Sequence, residues 1–570
     1  RGDAPPPCRP AAADLAAPVR IAIDYGDAAE LADKANRAIQ AFRRDNPAIW
    51  PALRAQGVFL GRGPRAKVAF LYTGQGSQYI NMLDVMRRRE PVVARAFARA
   101  DAVLAPLLGK PLTEFIFIDY TDPDAVARLE QLLLQTEITQ PAVLATDLAL
   151  TGLLATFGVT PDLVMGHSLG EYGALVAAGA MSFEDALVAV SARGAEMANV
   201  SVEDNGAMAA VFAPPDEIER VLAATDGYAV IANINSPKQA VIGGATLTVD
   251  AAVRAFTAAG RTAIRLPVSH AFHTAIVAPV SEPLRRTLSR FDLRAPAVPV
   301  VANVDGSLYP TGPDARDRMI DILARQVASP VQFVKGLHTL YDQGARVFVE
   351  VGPKKALQGF VADTLGERHD DVLALFTNHP KQGDLVSFNQ ALCGLYAAGL
   401  GAPAEEAKTV PFPNHPAQVE SGVTPTVVPV AAPAPAIEGY AELGRLVTEL
   451  LERGRDIWTG TTTTPAAGPA PATEPQPTPA APGPAEPVVI TGAALGLPGT
   501  ERVFDDGNLA SILGGQQFIK PIPQSVRQAM ADKHITRLVK SEHGAHRFDA
   551  IESSDDVIKL AARAGSFDMV

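Results

Sequence analysis

The sequence predicts an α/β fold: a parallel sheet covered by helices, with a smaller subdomain inserted into it. Three observations carry this expectation. Apolar strand-like runs at Lys67–Thr73, Asp162–Gly166, Val298–Asn303 and Arg346–Gly352 alternate with amphipathic helical stretches, as parallel sheets require. Between Asn205 and His270 the order changes to strand, helix, two strands, helix and strand. The third is composition: 47% hydrophobic and 20% charged residues in a 570-residue chain fill the cores of two to four domains of roughly 100–200 residues each.

The elements follow in order. Val19–Asp24 alternates like a strand, and Asp27 then caps a helix with Glu30 in the capping-box position and Leu31, Ala35, Ile39 and Phe42 on one face. This strand-helix unit occupies residues 1–65, read as an inter-domain linker. The α/β body runs over 66–400, with amphipathic stretches at Met82–Leu107 and Gln140–Phe157 and a last helix reaching about Ala398. Its insert, about 205–270, places strands at Ala207–Phe212, Ala229–Asn233, Ala240–Gly244 and Thr262–Pro267, with helices Pro215–Ala224 and Thr248–Ala259. That order is ferredoxin-like.

Beyond the body the 46 glycines and 47 prolines become local. Residues 401–437 form a Pro-rich linker, 438–458 an amphipathic helix with Leu443, Leu446, Val447, Leu450 and Leu451 on one face, and 459–487 a Thr/Pro/Ala tether. Val488–Gly492 then opens a partial C-terminal α/β module, 488–570. An opening Arg1 in place of Met suggests a piece of a longer chain.

Net charge is −12, which opposes binding to nucleic acid or to anionic membranes. Cys8 and Cys393 are too few for a disulfide framework, so a reducing, cytoplasmic location is expected.

The strongest chemical signal is Gly166-His167-Ser168-Leu169-Gly170-Glu171, between a short strand and a small-residue helix. This is a nucleophile elbow, which gives the large subdomain a hydrolase-like character: the glycines permit the turn and Ser168 is lifted above the sheet edge. A serine nucleophile needs a base, and Ser269-His270-Ala271-Phe272-His273-Thr274 supplies two candidates where the insert rejoins the body. Spacing does not choose between His270 and His273. Gly74-Gln75-Gly76-Ser77-Gln78 follows the first strand of the body, where its N–H groups can hold an oxyanion. The spacing and the following Lys that a nucleotide loop needs are absent. Arg193 stands among apolar residues and must meet an anion, either a structural partner or a substrate carboxylate.

With these pieces in order, Val68–Leu395 resembles the malonyl-CoA:acyl carrier protein transacylase family, in particular the acyltransferase domains of type I polyketide and polyunsaturated-fatty-acid synthases. Asn235-Ser236-Pro237 with Gln239, Arg325-Gln326-Val327-Ala328-Ser329-Pro330, and Glu350-Val351-Gly352-Pro353 fall where that family places them. The resemblance implies a Ser168–His273 dyad with the base oriented by the backbone carbonyl of Gln326. It implies an oxyanion site on the N–H groups of Gln75 and Leu169, and a malonyl carboxylate held by Arg193. His167, Phe272 and His270 are expected to shape the substrate site, with Phe272, and Leu169 rather than Gln after the nucleophile, favouring malonyl over methylmalonyl. A CoA thioester is the implied donor and the phosphopantetheine thiol of an acyl carrier protein the acceptor, with no bound cofactor and no metal. Ketosynthase domains of the same synthase are implied partners. Val19–Phe42 resembles the linker after a ketosynthase, and Val488–Ala493 with Leu497-Pro498-Gly499 resembles the start of one. The rivals are a serine hydrolase, which Arg193 disfavours by selecting a carboxylated acyl group, and a silent scaffold, from which Ser168, His273 or Arg193 would be missing.

Overall fold

In the computed structural model the described residues are 9–44, 49–119, 123–200 and 203–402, with four short strands beyond residue 518. The chain divides into two units, Arg1–Ala431 and Ala432–Val570.

The first unit opens with β1 (Val19–Ile23), which pairs antiparallel with β2 (Val58–Arg62), a strand the sequence reading did not place. Between them, helix Ala28–Arg44 is capped as expected: Glu30 N–H donates to Asp27 Oδ1 (2.8 Å), and Glu30 Oε2 accepts from Gly26 N–H (2.7 Å). The buried face differs from the expected one. Ala38 and Ala41 pack with Trp50, Leu53 and Val58, whereas Ile39 and Phe42 are 48% and 44% exposed. Small alanines let the helix approach the two-stranded sheet, and the Arg62 guanidinium lies over the displaced Phe42 ring at 5.5 Å. Arg20 of β1 is buried and donates through Nε to the Ala397 carbonyl (2.8 Å), tying this unit to the last helix of the body, Asp384–Ala397.

The body is a five-stranded parallel sheet in the order β11-β10-β3-β4-β9, where β3 is Lys67–Tyr72, β4 Leu163–Gly166, β9 Val300–Val301, β10 Ala345–Val351 and β11 Leu373–Phe376. The central strands are apolar on both sides, as a sheet covered on two faces requires. Two helical expectations are refined. The Met82–Leu107 stretch breaks before Pro91 into Asp84–Arg89 and Pro91–Leu108, because proline offers no N–H to continue the first helix. The second long helix starts a turn early, at Thr136, and ends at Thr156. It is long and apolar enough to cross a membrane but is 94% buried as the core of this domain. β11 escaped notice because a four-residue apolar run has no readable period.

The insert is a four-stranded antiparallel sheet in the order β6-β7-β5-β8: β5 is Ala207–Val211, β6 Ala229–Ser236, β7 Gln239–Gly244 and β8 Ala263–Arg265. With helices Pro215–Ala223 and Thr246–Ala258 on one side, this is the expected ferredoxin-like order. It has its own core around Ile218, Ile242, Val249 and Phe256.

The linker 403–437, the amphipathic segment 438–458, the tether 459–487 and the strand expected at Val488–Gly492 lie outside the described residues. In the second unit, Ile519–Pro521 pairs antiparallel with Leu560–Ala562, and Thr536–Val539 with Arg547–Ala550.

Candidate active site

At the carboxyl end of β4 the chain turns through His167-Ser168-Leu169 into helix Gly170–Ala177. Ser168 has φ of +53°, a left-handed conformation that costs an L-residue about 1–2 kcal/mol and marks a strained turn held by its surroundings. Two glycines make the turn possible. A Cβ on Gly166 would lie 1.9 Å from the Gly170 backbone, and one on Gly170 would lie 2.2 Å from the Tyr72 carbonyl oxygen. Strand, turn and helix are thus in backbone contact, and the serine is projected from the sheet edge.

His273, the second of the two candidate bases, meets the serine: Ser168 Oγ is 2.7 Å from His273 Nε2. Its Nδ1 lies 3.0 Å from the Gln326 carbonyl and 3.1 Å from that of Ser329. Carbonyls only accept, so Nδ1 carries the proton and Nε2 presents its lone pair to the Ser168 hydroxyl. Burial, reinforced by the nearby Arg193 charge, pushes the imidazole pKa down to about 3, so the ring rests neutral.

Arg193, on helix Phe183–Ala198, is 2% exposed. Its guanidinium donates to Ser168 Oγ at 3.4 Å and to Gln326 Oε1 at 3.3 Å, and its Nε has no hydrogen-bond partner among the described residues. No carboxylate among them forms an ion pair with it, although Glu171 contributes at longer range. Such a charge is costly to bury, and it is left beside the serine without an anionic partner among the described residues.

Gln326 does more than the expected carbonyl. Its Nε2 donates to the Ser168 carbonyl (2.7 Å) and to Glu171 Oε2 (2.9 Å), so one amide joins nucleophile, acid and guanidinium. Glu171 also accepts from Tyr309 Oη, and burial raises its carboxyl to about 7. Asn303, in the turn after β9, takes the Ser168 N–H on Oδ1 (2.6 Å) and donates from Nδ2 to the Gly166 carbonyl (2.8 Å). These three, Asn303, Tyr309 and the role of Glu171, were not found in the sequence. A polar residue ending an apolar strand was the one signal available for Asn303.

Because Asn303 occupies the Ser168 N–H, the donors left near the nucleophile are the N–H groups of Leu169 and Gln75, neither of which meets an acceptor among the described residues. Gln75, His167, Ser168, Arg193, Phe272 and His273 line one cavity of about 280 Å³ between the sheet edge and the insert. His167 is held by Asn235 (Nε2 to Oδ1, 2.8 Å), which in turn donates to Gln239 Oε1 (2.9 Å). The remaining expected residues stand behind the wall. Leu169 is buried beneath it, and Gln326 acts through the bonds above. His270 departs from the expectation of a substrate contact: its ring bonds to Ser269 Oγ and the Val200 carbonyl, because Phe272 occupies the cavity side of this loop.

A family model described as "Acyl transferase domain" matches residues 69–399. The malonyl CoA-acyl carrier protein transacylase of Bacillus subtilis is 37% identical over 301 residues, 52% of this chain and 90% of that protein. A spectinabilin polyketide synthase protein of Streptomyces orinoci is 34% identical over 333 residues, 58% of this chain but 14% of its own length. Among solved structures, the acyltransferase domain from the second module of the salinomycin polyketide synthase has a TM-score of 0.56 at 30% identity, covering 68% of this chain and 85% of that one. The malonyl CoA-acyl carrier protein transacylase from Coxiella burnetii has a TM-score of 0.51 at 30% identity, with coverages of 59% and 98%. An elbow serine bonded to a neutral histidine, with a buried arginine at hand, thus sits within a matched span of more than half the chain, and the chain belongs to the acyl transferase domain family.

Proposed function

We propose that the enzyme transfers a malonyl group from malonyl-CoA through an acyl-serine intermediate to the phosphopantetheine thiol of an acyl carrier protein, for polyketide or fatty-acid chain extension. One observation carries the reading of the acyl group: Arg193 is buried without a carboxylate partner among the described residues, 3.4 Å from the nucleophilic oxygen. A planar guanidinium suits a bidentate bond to a free carboxylate, and acetyl offers none.

The proposed steps use the distances described above. Ser168 Oγ attacks the thioester carbonyl carbon as its proton passes to His273 Nε2, over the 2.7 Å hydrogen bond. Negative charge gathers on the carbonyl oxygen, which the N–H groups of Gln75 and Leu169 receive. The C–S bond breaks, His273 protonates the departing CoA sulfur, and malonyl remains as an ester on Ser168. The carrier's thiol then attacks that ester, giving its proton to His273, which returns it to Ser168 Oγ. No titratable third member is needed, since the Gln326 and Ser329 carbonyls hold the histidine tautomer. A cytoplasmic location accompanies this reading, and residues 488–570 are read as the beginning of a ketosynthase on their motifs alone.

Weighing the intact protein after incubation with malonyl-, methylmalonyl- and acetyl-CoA tests the proposal. A malonyl adduct on Ser168, absent from Ser168→Ala, is expected; equal loading by acetyl-CoA would remove the role given to Arg193.

A further inference from the structure

The turn after β10 contains a residue that the chemistry above leaves unused. Lys354 is not glycine, yet its φ is +68°. Its half-buried side chain lines the cavity and donates from Nζ to the Gly76 carbonyl oxygen at 2.8 Å. Burial lowers its pKa, and among the described residues no carboxylate pairs with it. An ammonium kept in that position, on a strained backbone and without a counter-charge, has the loop carbonyl as its structural purpose.

The loop in question is Gly74–Ser77, which carries Gln75. Its inner end is fixed by side chains: Ser77 Oγ lies 2.7 Å from the Gly74 carbonyl and 3.2 Å from Thr73 Oγ1, and Thr73 donates to buried Asp147 Oδ1 at 2.8 Å. The outer end, at Gly76, has φ of +102° and open space around its Cα. Its N–H bonds locally, to Gln78 Oε1, and the neighbouring Gln75 side chain reaches Thr136 Oγ1 only at 3.5 Å, so the short bond that anchors Gly76 to a distant element among the described residues is the one from Lys354.

We propose that Lys354 is a positioning residue for acyl transfer: by holding the Gly76 carbonyl it fixes the loop and aims the Gln75 N–H at the oxyanion. This rests on the reading of Gln75 as an oxyanion donor. Such a residue acts in the transition state, so its loss lowers kcat and leaves donor binding nearly intact.

The test measures Ser168 acylation by malonyl-CoA and by malonyl-N-acetylcysteamine, a thioester without phosphate, in the full chain. Lys354→Met is expected to lower kcat about tenfold with both donors and to leave KM within about twofold, as loss of one well-placed constraint does. Lys354→Arg, which keeps the donor, restores most of the rate. Lys354→Gly supplies a readout that a merely structural role would not give: glycine relieves the positive φ, so thermal stability rises while kcat falls. A wild-type rate in Lys354→Met overturns the proposal, as does a rise in KM confined to malonyl-CoA, which would assign Lys354 to the donor's phosphates. If the wild-type protein is not acylated by either donor, the underlying functional reading fails, and this inference with it.

Discussion

The proposed selectivity for malonyl rests on one side chain, Phe272. It lines the cavity and immediately precedes the base on the same loop, and on the proposed function its ring takes the space that a branched acyl group would need. Exclusion of one methyl group by a hydrophobic wall is worth about 1–3 kcal/mol, so preference and not absolute rejection is expected. Phe272→Ser opens that wall. In competition between malonyl-CoA and methylmalonyl-CoA, the variant should shift toward methylmalonyl by roughly 10- to 200-fold. An unchanged ratio would assign selectivity elsewhere. Ser168 and Arg193 were singled out from the residues themselves, one by the elbow and one as a charge among apolar neighbours, whereas the choice of His273 and the selectivity given to Phe272 came from the family resemblance. His270 was not separable from His273 by spacing, and the structure divides them: one ring meets the serine, the other bonds to Ser269 and Val200.

The elbow is an assembly of elements, and its support comes from strands and helices far apart in sequence. Glu171 lies in the first turn of the helix after the nucleophile, Asn303 follows β9 by two residues, and Gln326 ends helix Ala315–Gln326. No local pattern announces that these three meet, which is why they were missed or only half understood. Their coupling has a pH signature. The Glu171 carboxyl is raised from 4.5 to about 7 by burial, against the lowering effect of bonds from Tyr309, Gln326 and Asn303. The native state therefore holds an extra proton between those values. The stability this contributes is complete below about 4.5 and is lost as pH rises through about 7. His273 works in the opposite sense, its lowered pKa favouring the fold as pH rises toward 6.5. Comparing Glu171→Gln with the wild type cancels that second contribution. Denaturant unfolding from pH 4.5 to 8 should show the wild type losing ground to the variant by on the order of 3 kcal/mol. Parallel stability curves would mean that Glu171 stays ionised throughout. The same elements explain the unexpected helix face near the N-terminus: alanines face the two-stranded sheet because only small side chains allow that approach, a constraint hidden from hydrophobic periodicity.

At the scale of the molecule, a parallel sheet presents its strand ends to an inserted antiparallel subdomain, and the cavity forms between them. The existence of both sheets and the order of the insert were readable from the alternation of elements, whereas the strand order of the parallel sheet and its edge strand β11 were not; the apposition of the two followed from where the insert leaves and rejoins the body. What the sequence could not show is that Arg193, from a helix of the large subdomain, arrives beside the nucleophile without a carboxylate partner among the described residues. On the proposed function, that placement turns a general acyl-serine chemistry into one that requires an acid group on the substrate. Removing a partner from a desolvated charge pair typically costs about 2–5 kcal/mol. The most direct measurement is therefore the rate of Ser168 acylation by malonyl-CoA and by acetyl-CoA in the wild type and in Arg193→Ala. Malonyl loading should fall by about 30- to 4,000-fold while acetyl loading is unchanged or rises; an equal fall with both donors would contradict recognition of the carboxylate by Arg193.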